Sequence, residues 1–226
     1  KIIMKYILLI FIITLYSSCL TSLHPITNAE NIIREDRVLG AWQGDEEIIR
    51  IQRFSPDAFS QDMLSSAPNG RKSKLREEPA VHNPDSIIYA RGYNVSFQKN
   101  GVNYSMFGGI TRINDQLYID LLPLLAENPK DSRGEGFEYI SDYLPVFTVA
   151  KLEIKNSQLN LHFLNGDFIK QQILNGNIRI NHEKDELFDV FMITATTKEL
   201  HQFLAKYGHD DRLFSKENSI TLTRKG

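Results

Sequence analysis

Residues 91–122 read RGYNVSFQKNGVNYSMFGGITRINDQLYIDLL, and the turns inside this stretch decide the fold. Asn100-Gly101 is the strongest short hairpin signal in the chain, because a type I′ hairpin turn needs a positive φ at both positions, which Asn and Gly tolerate. Such a turn fixes which residues face one another. Phe97 falls opposite Tyr104, Val95 opposite Met106, Tyr93 opposite Gly108 and Arg91 opposite Ile110. On the other face Gln98 meets Asn103, Ser96 meets Ser105 and Gly92 meets Gly109. One face is almost wholly apolar and the other is small or polar. A slip of one residue would mix them, so burial of the apolar face enforces this register.

Asn114-Asp115 carries the same sheet onward. It sets Leu117 near Arg112, Ile119 opposite Ile110 and Leu121 opposite Gly108, all on the apolar face. A third hairpin turns at Asn156-Ser157, pairing Ile154 with Leu159, Leu152 with Leu161 and Ala150 with Phe163. Lys151, Glu153, Lys155, Asn160 and His162 take its wet face. An earlier hairpin turns at Gly44-Asp45, between Val38–Gln43 and Glu46–Phe54. Strands at Leu187–Ile193 and near Ile220–Thr223 complete the set. The fold class is therefore mainly β: an antiparallel, hairpin-connected barrel of about 8–9 strands, since closure removes the edges such a sheet would expose.

Two helices interrupt the strands. Thr196 and Glu199 form a capping box, Leu200, Phe203, Leu204 and Tyr207 follow at helical spacing, and Gly208 ends the run. This C-terminal helix is amphipathic and lies on the sheet. A shorter helix spans Asp167, as N-cap, to Leu174, with Asn175-Gly176 ending it. Two long connections, 55–85 and 123–143, carry most of the prolines.

The first residues differ from all of this. Lys1 and Lys5 precede the apolar run Tyr6–Tyr16, and Ser17, Ser18 and Cys19 follow. Positive charge, a short apolar run and then small residues form the pattern of a secretory signal peptide, here residues 1–18. Residues 19–34 read as anchor and tether, and 35–226 as the barrel domain. The single cysteine excludes an internal disulfide and any cysteine-built zinc cluster. A net charge of -2 gives no general attraction to nucleic acid.

The stretch Tyr16-Ser17-Ser18-Cys19 resembles a bacterial lipobox, in which the cysteine becomes the lipidated first residue. Gly40-Ala41-Trp42 is similar to the Gly-x-Trp of lipocalin-like domains. With the leader and the ending Ile193–Leu200, Phe203-Leu204, Asp211 and Phe214, the chain resembles the lipocalin-like envelope lipoproteins of Gram-negative bacteria. The resemblance implies a barrel closed at one end by Gly40 and Trp42, a lipid at Cys19, and an outer-membrane location facing the periplasm. It also implies an apolar ligand, no catalytic residue and no cofactor.

Six histidines are scattered and show no metal-ligand spacing. His182 and His209, each beside carboxylates, read as solvated surface. No Gly-x-Ser-x-Gly occurs, and no carboxylate pair shares an inward strand face. Arg71, Lys72, Lys74 and Arg76 read as a solvated loop, neutralised by Glu77 and Glu78. The informative oddity is Arg91, on an inward run Ile87, Tyr89, Arg91, Tyr93, Val95, Phe97, with Arg112 diagonal to it. A charge facing an apolar interior needs a partner or water. Either both arginines snorkel at the barrel rim, or they hold an acidic head group inside a pocket. That pocket would be walled by Tyr89, Tyr93, Tyr104 and Met106, with an acidic lipid as the simplest ligand.

Three functions remain open: a lipid-anchored barrel binding a small apolar or acidic amphipathic ligand, a non-catalytic envelope interaction or assembly module with a filled barrel core, and an enzyme of unassigned chemistry. Pocket volume separates the first two, because a small barrel is readily filled by its own side chains.

Overall fold

A computed structural model of the chain describes residues 20–55, 84–99, 102–127, 137–139, 145–185, 187, 190–214 and 216–225. Cys19, the leader and the Asn100-Gly101 turn lie outside the described residues. The strands are β1 (Thr21–Ser22), β2 (Gly40–Gln43), β3 (Glu47–Arg53), β4 (Tyr93–Lys99), β5 (Val102–Ile113), β6 (Gln116–Glu127), β7 (Phe137–Tyr139), β8 (Phe147–Lys155), β9 (Gln158–Phe163), β10 (His182–Asp185), β11 (Val190–Ile193) and β12 (Ser219–Arg224). The helices are α1 (Pro84–Arg91), α2 (Gly166–Leu174) and α3 (Thr197–Tyr207).

The protein is mainly β, and its centre is a closed antiparallel barrel. β8, β9, β12, β2, β3, β4, β5 and β6 follow in hydrogen-bonded order, and a β6–β8 pairing closes the ring of eight. The registers read from the turns hold. Phe97 pairs Tyr104, Val95 pairs Met106 and Tyr93 pairs Gly108, with Lys99 paired to Val102. Ile119 pairs Ile110, and Leu152 pairs Leu161. The first hairpin differs, since Gln43 pairs Ile48 and leaves four residues, Gly44 to Glu47, between the paired positions.

Apolar residues fill two cores. Inside the barrel lie Trp42, Ile49, Ile51, Tyr93, Val95, Ile110, Ile119, Leu159 and Leu222, among others. Outside it, α2, α3 and the β10–β11 hairpin cover the outward residues Ile113, Tyr118 and Val149. Leu200, Phe203 and Leu204 of α3 are buried in this outer core and Tyr207 packs against its edge, as their spacing predicts. The capping box is complete: the Thr196 oxygen accepts from the Glu199 N–H, and the Glu199 carboxylate accepts from the Thr196 N–H at 2.8 Å. Thr196→Ala is expected to cost about 1 kcal/mol, read as a lower denaturation midpoint at unchanged slope.

Several expectations need correction. Residues 84–91 form a helix, so Ile87, Tyr89 and Arg91 do not continue an inward strand. Pro84 opens it, where a missing N–H costs nothing, and the Gly92 N–H closes it on Ile88 O at 2.9 Å. These end signals outweigh the alternation of its side chains. The N-cap of the shorter helix lies two residues earlier than Asp167, at Asn165, which accepts from Phe168 N at 3.0 Å.

Residues 20–34 were expected to be a tether, yet they are built into the fold. β1 lies between β8 and β11, and Ile26 and Ile32 are fully buried. Ile33 N donates to Ile110 O at 2.8 Å. The Asp120 carboxylate accepts from Thr27 N at 2.9 Å and from Thr27 Oγ1 at 2.9 and 3.0 Å. His201 Nε2 donates to Ile26 O at 2.6 Å, and Thr197 Oγ1 donates to Pro25 O at 2.8 Å. Gly109 makes this docking possible, because a Cβ there would collide with Thr27 Oγ1 and Asp120 Oδ1.

Candidate functional site

The barrel interior is where a ligand would sit, so its packing decides what the fold can hold. One end is closed by the Gly-x-Trp turn. Gly40 has φ +128°, a conformation L side chains rarely adopt, and this turns the chain so that Trp42 enters the barrel fully buried. The indole N–H donates to Val38 O at 2.7 Å. Arg224, at the end of β12, lays its guanidinium 4.2 Å above the indole ring. The same group donates to Leu39 O at 2.7 Å and Arg37 O at 2.6 Å, tying the last strand to the turn before β2. These two backbone carbonyls thereby gain a partner while the cation stays at the surface over the ring.

Beside it sits a polar cluster. Tyr93 is 1 % exposed, and its hydroxyl accepts from Glu35 N at 2.6 Å. Burial pushes that hydroxyl above its ordinary range. The Glu35 carboxylate accepts from Arg37 Nε and Nη2, each at 2.7 Å, and this pairing is the main reason it titrates below the usual range. Arg112 contributes in the same direction through its charge.

The middle of the barrel is packed. Gly108 faces inward, and a Cβ added there would stand 3.0 Å from Val95 Cγ2, 3.3 Å from Ile119 Cδ1 and 3.6 Å from Leu121 Cδ2. The space a side chain would need is already taken. Gly108→Val is therefore expected to destabilise the domain by about 2 kcal/mol through overpacking, measured by urea unfolding.

The residues singled out in the sequence divide into three groups. Tyr93 and Met106 lie on the inward face, Tyr93 buried and Met106 half-buried. Arg112 is exposed at the end of β5 beside Glu35, which agrees with the rim reading. Tyr104 shares the inward parity but stands toward the opposite end and is 40 % exposed. Arg91 and Tyr89 leave the barrel altogether. Arg91 ends α1 and donates to Ile32 O at 3.1 Å. Tyr89 stacks on Phe54 at 5.3 Å and meets the edge of Phe107 at 5.7 Å. The six residues do not assemble one pocket, and the pair Arg91 and Arg112 is not brought together inside the barrel.

Three groups escaped sequence reading: Glu35 with Arg37, Arg224 over Trp42, and Asp120 with Thr27. Asp120 left a signal. It lies between Tyr118 and Leu122 on the outward face of β6, so an apolar outward face with one acid in it marks a covered, hydrogen-bonded carboxylate. A groove of about 710 Å³ lies outside the barrel between α3 and the segment 176–182. Among the described residues no group of three or more His, Cys, Asp or Glu is placed to hold a metal ion. Among them, too, no helix is long and apolar enough to cross a membrane. Compared with protein-family models, curated proteins and solved structures, the chain matches none.

Proposed function

We propose that this chain is a lipid-anchored bacterial envelope protein, held through Cys19, whose barrel is a packed scaffold for interaction or assembly and not a ligand cup. The observation that carries the reading is the filled interior: Trp42, Ile49, Val95, Ile110, Ile119, Leu159 and Leu222, from strands all round the ring, are buried in one cluster, and Gly108 has no room for a Cβ between its neighbours on β4 and β6. Supporting it is the dispersal of Arg91, Tyr89 and Arg112, which removes the paired cations an acidic lipid would require. Trp42 and Arg224 tie β12 to the segment before β2 at one end of this scaffold. Such a body presents surfaces in fixed positions, which suits docking to a partner in the envelope.

A second reading keeps one observation of its own. Phe97 and Met106 are half-buried and Tyr104 is partly exposed on the inward parity, a rim able to take an apolar chain. Titration of the purified domain with a fatty acid and its neutral alcohol separates the two. The scaffold reading expects no saturable binding of either. Saturable binding of both, weakened by Tyr104→Asp, supports the rim. Preference for the acid that falls by tenfold or so in Arg112→Met returns the acidic-lipid reading. The anchor is tested by Cys19→Ala, which should shift the protein from the detergent phase to the aqueous phase and remove the acyl mass. An unchanged partition with no acyl mass in the wild type contradicts it.

A further inference from the structure

The chain enters the fold through β1 with no slack. Leu20 is buried in the outer core, and Thr21 and Ser22 are paired on both sides, with β8 and with β11. β1 runs parallel to β11, Thr21 facing Met192 and Ser22 facing Ile193. The end of β1 that leads back toward Cys19 is therefore the end at which β11 begins. Val190 stands there, two residues or about 7 Å from Met192. The tip of the β10–β11 hairpin is at the same end, since Asp185 pairs Val190. At this tip Leu187 is 83 % exposed, the most of any large apolar residue among the described ones, and Val190 is 49 % exposed.

We propose that this hairpin tip is a second membrane contact, seated among the headgroups of the bilayer that holds the Cys19 lipid. The inference rests on the lipid-anchor reading. A single exposed leucine elsewhere needs no explanation. This one stands where the strand direction delivers the anchor, with one residue, Leu20, between Cys19 and the paired β1. A domain tied that closely cannot swing away from the bilayer, and apolar side chains beside the anchor leave water when it inserts. Charge selects the surface. The hairpin sequence 182–190 carries four carboxylates against one lysine, so zwitterionic headgroups are accepted and anionic ones repelled.

The test uses the full protein, purified with its lipid from a bacterial envelope and reconstituted into phosphatidylcholine vesicles with brominated acyl chains. Leu187→Trp places a fluorophore at the tip, and Lys198→Trp places one beyond the far end of β11. Trp42, buried inside the barrel, is a constant background. The tip fluorophore is expected to shift to the blue and lose roughly half of its emission, while Lys198→Trp keeps its own. Replacing a third of the lipid by phosphatidylglycerol should weaken the tip quenching. Val190→Trp repeats the reading if Leu187→Trp folds poorly. Acylated protein quenched equally at both ends, or at neither, overturns the proposal and leaves the anchor standing. Protein without acyl mass overturns the anchor and the proposal together.

Discussion

Replacing Trp42 by alanine is expected to lower the stability of the domain by about 4 kcal/mol. The indole is fully buried, so its removal leaves a cavity that the rigid ring of strands cannot close. Three further losses accompany the cavity. Val38 O gives up the indole N–H at 2.7 Å. Arg224 loses the ring 4.2 Å beneath its guanidinium. The tie between β12 and the turn before β2 loosens, because the same guanidinium holds Leu39 O and Arg37 O. Trp42→Phe keeps much of the volume but not the N–H, so its cost should be about half. Chemical unfolding with unchanged slope measures both. A Trp42→Ala variant within 1 kcal/mol or so of wild type would mean that this residue does not close the barrel.

Asp120→Ala is expected to cost about 3 kcal/mol at pH 4, and less at pH 7. The carboxyl is 1 % exposed and takes up the Thr27 N–H and hydroxyl; without it the Thr27 N–H is left buried and unpaired. The pH dependence follows from its environment. Burial pushes Asp120 up from 3.8 to about 6, against the pull of hydrogen bonds from Thr27, Ile26 and Gly109. The folded chain therefore holds this proton to higher pH than the unfolded chain does. Its contribution is complete below pH 3.8 and is lost as pH rises toward 6, a change of about 3 kcal/mol. Glu35, Glu199 and Asp210 titrate low and act in the opposite sense, and subtracting variant from wild type removes them. A difference curve flat from pH 4 to 7 would contradict the buried carboxyl. Amide exchange along residues 20–33 should quicken in the variant, since Thr27 holds that segment to β6.

What the sequence disclosed and what it hid follow from the range of the interactions. The β4–β5, β5–β6 and β8–β9 registers were legible because short turns and a period of two overdetermine them. The α3 capping box was legible because both partners lie within one turn. Helix α1 was not, since Ile87, Tyr89 and Arg91 mimic a strand face and the deciding signals sit at Pro84 and Gly92. The docking of residues 20–33 was hidden for another reason. Its partners, Asp120, Thr111 and His201, lie 80 to 175 positions away, and a short run of mixed polarity carries no period. The candidate site failed in one consequence of the α1 error: with Arg91 on a helix, the arginine pair dissolves, while Arg112 reaches the rim as its parity implied. Gly40 and Trp42 were placed correctly, but Arg224, the residue that seals them, lies at the far end of the chain.

The packed barrel is tested most directly by native mass spectrometry of the Cys19→Ala protein, purified from a bacterial envelope without detergent. The interior is packed by buried side chains from strands all round the ring, so the expected spectrum is the protein mass alone, unchanged when the source is enriched in fatty acids and lysolipids. A stoichiometric small molecule that stays bound until the protein unfolds would contradict the scaffold and make this barrel a carrier.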